Sequence, residues 1–336
     1  MIELLKKLCE LDATSGDEAA VRDYIIGEID GYCKWQTDRM GNIIAFKKGR
    51  KQSKVKLMID AHMDEVGLII TNITPDGFLK FMTVGGIDTS VLMFKSIRIN
   101  GKFPGVIGGK PIHLLTKDEA KKLPEVKGLY IDIGVASKEA AEALVKVGDR
   151  AVLCGDFQIC GENIISKAID DRIGCATLIK LLKEDSEYDF YASFSVQEEI
   201  GLRGAKTAAF SIDPQAAIIL EATTAADIAG VANEDTVCSL GKGPAISFMD
   251  KATVYDRAYY NAALNSGIPC QPKAAVAGGN NSEAVHLSRE GVRTIALSVP
   301  CRYIHSPSCV ANIEDCKRLL EIAKYMLNGI CGGEIS

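Results

Sequence analysis

Four apolar runs in this chain close on, or shortly before, a side chain able to ligate a metal. Residues 55–61 lead into His62, residues 190–196 into Glu198 and Glu199, residues 216–220 into Glu221, and residues 292–299 are followed by His305. Short apolar runs bounded by turn residues read as buried strands. Such runs alternating with helical patterns predict an α/β fold. In an open α/β sheet a site gathers at the carboxyl ends of the strands, which is where these residues fall.

The intervening segments supply the helices. Leu4, Leu5, Leu8 and Leu11 recur at helical spacing. Ser15 with Glu18 three residues later has the form of a capping box for a second helix through Val21, Tyr24, Ile25 and Ile29. Gly41-Asn42 is a turn before a strand at 43–46. The run Lys167-Ala168-Ile169-Asp170-Asp171-Arg172 opens a helix through Leu178, Ile179, Leu181 and Leu182. Further on, Ala245 begins a strand, a helix spans about 255–265, and residues 276–283 read as a strand and turn before another helix. Asn312 caps a last amphipathic helix carrying Leu319, Ile322, Ala323 and Met326.

Residues 68–157 differ in texture. Short β-like runs at 68–70, 96–99, 105–107, 129–133 and 151–153 are separated by Gly, Asn-Gly and Pro turns, with one clear helical piece at 137–145. This segment reads as a small β-rich module inserted into the main domain. It holds no cluster of metal-type ligands, and His113, among apolar neighbours, reads as structural.

Composition removes whole classes of function. At 336 residues the chain is long for one core, which predicts a main domain plus a smaller one. A formal net charge of -5, with no Lys/Arg run interleaved with aromatics, argues against nucleic acid as a partner. No apolar stretch approaches the ~20 residues a membrane helix needs. The start of the chain lacks the pattern of a signal peptide, so the eleven cysteines read as free thiols in a reducing cytoplasm. None stands in a Cys-x-x-Cys pair, which argues against a thiolate zinc site.

The ligand-type residues carry the chemistry. Strand alternation puts His62 and Asp64 on one side, one able to bind a metal and the other to orient its ring. Asp170, with Asp171, can complement a helix dipole or bridge two ions. Two histidines and three carboxylates can hold two metals if one carboxylate is shared, and this oxygen and nitrogen set suits zinc, cobalt or manganese. Such a pair, ~3.5–4 Å apart, can activate a water and polarise a carbonyl. Glu198 is then the spare carboxylate, free to serve as general base.

The chain resembles the dinuclear metallo-aminopeptidases that assemble into tetrahedral shells, among them glutamyl, leucyl and lysyl aminopeptidases; some members carry the label endoglucanase. The resemblance spans nearly the whole chain. It rests on Ser15-Gly16-Asp17-Glu18, Gly41-Asn42, the segments 61–67, 167–174 and 197–205, Gly241-Lys242-Gly243-Pro244 and Tyr303-Ile304-His305-Ser306, in order and at matching separations. It implies a mixed-sheet α/β/α zinc-peptidase-like catalytic domain over 1–67 plus 158–336. It implies that 68–157 is an inserted β-rich, PDZ-like or barrel dimerisation domain. It implies two divalent metal ions per subunit, zinc or cobalt, with manganese also accepted. His62 and Glu221 would bind the first ion, Glu199 and His305 the second, and Asp170 both, through a cis Asp170–Asp171 peptide. Asp64 would stand behind His62, and Glu198 would be the base. Short peptides would be the substrate, and dimers the building block of a dodecamer.

Two departures from the family pattern stand out. Glu221-Ala222-Thr223 replaces Asp-Val-Thr, and Gly278-Gly279-Asn280-Asn281 replaces Gly-Gly-Thr-Asp. They raise the alternative of a catalytically weak peptide-binding or assembly member; a second alternative, which some relatives' labels suggest, is a glycoside hydrolase using paired carboxylates.

Overall fold

Residues 1–276 and 278–335 are described by a computed structural model of the chain. Four parallel strands lie side by side at the centre of an eleven-stranded sheet, in the order Phe190–Ser195, Leu57–His62, Ala216–Thr224, Arg293–Arg302. Their residues are almost all buried, as parallel strands must be when helices cover both faces. The helix Ile169–Lys183 packs on Leu57–His62 and Ala216–Thr224, with Ile2–Glu10, Ala19–Ile29 and Ile313–Gly332 beside it. Helices Arg203–Ile212 and Ser282–His286 pack on each other, the first against Phe190–Ser195 and the second against Arg293–Arg302. Antiparallel strands extend both edges: Ile43–Lys47 and Lys34–Thr37 on one, Cys309–Asn312, Asn163–Ser166 and Gln158–Cys160 on the other. Asn312 caps the last helix by accepting from Glu314 N at 2.9 Å and Asp315 N at 3.3 Å.

A second sheet closes on itself. Strands Gly67–Ile73, Leu79–Val84, Tyr130–Asp132, Phe103–Gly108, Ser96–Ile99 and Arg150–Leu153 form a barrel. Closure removes the exposed edges that a small sheet would otherwise present. Its interior, with Leu68, Ile70, Leu79, Phe81, Ile97, Ile107 and Ile131, is a cluster separate from the main core. All five β-like runs predicted in this segment pair in the barrel. Leu79–Val84 was missed: Leu79 and Phe81 are buried while Lys80 and Met82 face outward, so its apolar residues form no continuous run.

Three local expectations fail. Ser15 and Glu18 do not form a capping box: the Ala19–Ile29 helix has no side-chain cap, because both side chains are drawn into contacts with other strands, described below. Of the strand and turn expected from 276, residues 276 and 278–280 form no strand, and Ala277 lies outside the described residues. His113 is exposed on a short turn, not packed among its neighbours. Among the described residues no helix is long and apolar enough to cross a membrane, and all eleven cysteines are free.

Candidate metal centre

The parallel strands end together, and their ends converge. His62 closes Leu57–His62 and is paired in register with Ser195, which carries the neighbouring chain toward Glu198 and Glu199. Glu221 lies on Ala216–Thr224, and His305 follows Arg293–Arg302. Asp170 enters from the start of the Ile169–Lys183 helix, where Asp170 and Asp171 have non-helical backbone and are joined by a cis peptide, the isomer the resemblance implied.

Two donor triads result. His62, Asp170 and Glu221 offer ligand atoms within 4.8 Å of one another, and so do Asp170, Glu199 and His305. Asp170 divides its oxygens between them. Its Oδ1 lies 3.3 Å from His62 Nε2, and its Oδ2 lies 3.4 Å from His305 Nε2. Glu221 Oε2 is 3.7 Å from His62 Nε2, and Glu199 Oε2 is 3.3 Å from His305 Nε2. Asp170 Oδ1, Glu199 Oε1 and Glu221 Oε1 are buried without a hydrogen-bond partner. Unpaired buried carboxylate oxygens are expensive, and their convergence with two imidazoles is a nitrogen and oxygen set suited to divalent zinc, cobalt or manganese. The residues present therefore fit two cations.

The electrostatics agree. Burial pushes the Glu221 and Glu199 carboxyls well above the ordinary range, and the nearby Asp170 carboxylate adds to it. Burial would raise Asp170 too, but the His305 and His62 imidazoles facing it outweigh burial and hold this carboxyl low. Burial pushes Glu198 up to about 7, with Asp170 and Asp64 raising it and the two imidazoles opposing. Carboxylates thus outnumber the imidazoles that could balance them.

Asp64 does more than stand behind His62. The His62 Nδ1 atom lies 3.1 Å from the Asp64 carbonyl oxygen and 3.5 Å from its carboxylate. That carboxylate accepts from Glu198 N at 3.0 Å, Glu199 N at 3.2 Å and Ser15 Oγ at 2.6 Å. It therefore ties His62's strand to the turn bearing both glutamates. Glu18 Oε1 accepts from Gln197 N at 3.2 Å and Gly16 N at 2.7 Å. Ser15 and Glu18 buttress the site, a role missed because their spacing also matches a helix start. Missed as well were Glu65, Lys167 and Arg172. Lys167 Nζ reaches the Glu65 carboxylate at 2.7 Å, and Arg172, fully buried, donates to Glu65 at 3.1 Å and to Met63 O at 3.0 Å. Two basic residues flanking Asp170 were the available signal.

The Asn280-Asn281 departure has a local cause. Asn281 Nδ2 donates to Asp60 Oδ2 at 2.7 Å and to Ser195 Oγ at 2.8 Å, all buried. An aspartate at 281 would set two buried carboxylates face to face.

Comparison with known proteins matches this geometry to named relatives. A "Putative aminopeptidase" of Acetivibrio thermocellus is 37% identical over 338 residues, covering 98% of each chain. The structure of an aminopeptidase from the archaeon Desulfurococcus kamchatkensis superposes with a TM-score of 0.94 at 36% identity, covering 100% of this chain and 96% of that one. A TET1 peptidase of Pyrococcus horikoshii, described as able to assemble into a tetrahedron or a large octahedral shell, superposes with a TM-score of 0.85 at 33% identity, covering 97% and 98%. The M42 glutamyl aminopeptidase family profile matches residues 41–322, and the chain belongs to that family.

Proposed function

We propose that the protein is a metal-dependent aminopeptidase that removes N-terminal residues from short peptides. The observation that carries this reading is the pair of triads meeting on the one Asp170 carboxylate, one oxygen to each. His62, Glu221 and Asp170 would hold one divalent ion, and Glu199, His305 and Asp170 the other. Two such ions would supply a lowered pKa for a bound water and polarisation of a peptide carbonyl.

This chain's own residues do the rest. Asp64 anchors the backbone of Glu198 and Glu199 and so sets the carboxyl of Glu198 beside the cluster. Glu198, not part of either triad, takes the proton of the attacking water and passes it to the leaving amine nitrogen. A carboxyl near neutrality can do both. The first triad is buried away from bulk water.

The separate core of the barrel supports reading 68–157 as an inserted dimerisation domain, with 1–67 and 158–336 as the catalytic domain. Met82, Phe94 and Val106 there are exposed apolar side chains that a dimer contact would cover. Kinship with a shell-forming peptidase supports assembly of dimers into a tetrahedral dodecamer. The free thiols accord with a cytoplasmic location.

The test is hydrolysis of aminoacyl-p-nitroanilides by protein supplied with zinc, cobalt or manganese. Turnover is expected, and Glu198→Gln should lower it by about 10²- to 10⁴-fold. Absence of turnover on every aminoacyl substrate with all three ions would sink the proposal; fewer than two bound ions with no turnover would favour a peptide-binding or assembly role. A glycosidase needs a free acid–base pair of carboxyls, whereas Asp170, Glu199 and Glu221 all face imidazoles.

A further inference from the structure

The two triads differ in what holds them. His62, Asp170 and Glu221 stand on the main sheet and its central helix. His305 stands on the connection after Arg293–Arg302, where Tyr303 and His305 have φ of 58° and 61°. A non-glycine residue in that left-handed region is strained by roughly 1–2 kcal/mol and persists only where its surroundings impose it.

Those surroundings are two passages of the barrel, one between its strands Leu79–Val84 and Ser96–Ile99, the other leading from Arg150–Leu153 back to the sheet. On one, the chain leaves Leu79–Val84 through Gly85 and Gly86. The Gly86 carbonyl lies 2.8 Å from His305 Nδ1. A carbonyl only accepts, so Nδ1 carries the proton and Nε2 is left to face Asp170 and Glu199. Gly85 has φ +86°, and a Cβ there would meet Val66 Cγ1 at 2.8 Å and Glu199 Cβ at 3.2 Å. On the other passage, beyond Arg150–Leu153, Gly155 lies against the loop of His305. A Cβ on Gly155 would fall 2.0 Å from the Pro307 carbonyl oxygen and 2.9 Å from its carbon. A side chain at Gly85 would push on Val66 and Glu199, and one at Gly155 would displace Pro307 in the loop of His305.

We infer that these two passages form a clamp that positions His305, so that the barrel governs the histidine of the second triad while the sheet and its central helix hold the first. Gly86 acts through its carbonyl on the imidazole, and Gly155 through Pro307; both are positioning residues. The inference rests on the metal reading above.

Metal-free protein titrated with cobalt(II) tests it, read by visible absorption and by the ions retained per chain. Wild type should take up two. Gly155→Ala and, separately, Gly85→Ala should keep one ion as tightly as wild type and hold the other about ten- to a hundredfold more weakly, with the metal-free fold still unfolding cooperatively. Gly128→Ala, where an added Cβ meets nothing within 4 Å, should retain both. A folded clamp variant that binds two ions as tightly as wild type, or that loses both together, overturns the inference. If neither variant folds, nitrogen spectra of the histidine rings in zinc-loaded wild type decide: Nδ1 protonated and Nε2 ligated is expected for His305, and ligation through Nδ1 overturns the clamp. Wild type that binds no ion removes the metal reading itself.

Discussion

The two halves of the centre use the same kinds of donor but are built differently. In the first half, the His62 and Glu221 side chains are 1% and 6% exposed and stand on neighbours of a continuous parallel ladder. In the second, Glu199 lies on a turn and the His305 side chain is 31% exposed on a strained connection. Strand ladders leave little freedom, so His62 and Glu221 are set once the sheet forms. The second half depends on contacts made from outside the sheet, by Asp64, Glu18 and the barrel's passages. Placement on loops held by a scaffold is common where a site must admit and release ligands.

The sharpest way to break this comparison is at the residue both halves share. Asp170→Asn should lose both ions and bring kcat/KM down by roughly 10⁴-fold or more, seen in metal content and peptide hydrolysis; retention of both ions would show that the triads do not meet on this carboxylate. Next, Glu198→Gln should keep both ions and lose about 10²- to 10⁴-fold in kcat. Glu199→Gln should instead lose the second ion and spare the first. Equal metal content and rates in these two variants would end the division of roles between neighbouring glutamates. Chelation should then separate the halves, the more exposed second ion leaving first. With free ion at a hundred times Kd, each site contributes about 2.7 kcal/mol, so urea denaturation should show two losses of that order as chelator rises. A single simultaneous loss would merge the halves.

The smallest effect concerns the buttress of the second half. Burial, helped by Asp64, pushes the Glu18 carboxyl up to about 7 from an ordinary 4.5, against hydrogen bonds from Gly16 and Gln197. The folded state holds this proton more tightly than the unfolded chain. The stability it contributes is therefore present below pH 4.5 and lost as pH rises to about 7. Glu18→Gln should gain on wild type by roughly 1–3 kcal/mol between pH 4.5 and 8. An unchanged gap in melting temperature across that range would refute the burial argument.

Much of this was legible in the chain because burial writes itself into sequence. The parallel strands are buried on both faces and read as apolar runs, and His62 and Glu221 interrupt those runs where the ladder ends. The long helices announced themselves by spacing and, at Asn312, by a cap. The strand Leu79–Val84 did not, because half its residues face outward from the barrel. Ser15 and Glu18 misled because a hydroxyl and a carboxylate three residues apart suit a helix start as well as a long-range contact. Nothing in the local sequence distinguishes the two.

By itself, then, the sequence determined the kinds of donor, their order, and the α/β alternation that sends them to one edge of a sheet, since these follow from local periodicity and composition. Only the tertiary structure decided which oxygen of Asp170 faces which histidine, that Asp64 anchors the glutamate turn, and that two glycines of the barrel's passages crowd the loop of His305. Those are contacts between residues as far apart as 219 positions, and a chain carries no local record of a partner that only folding brings near.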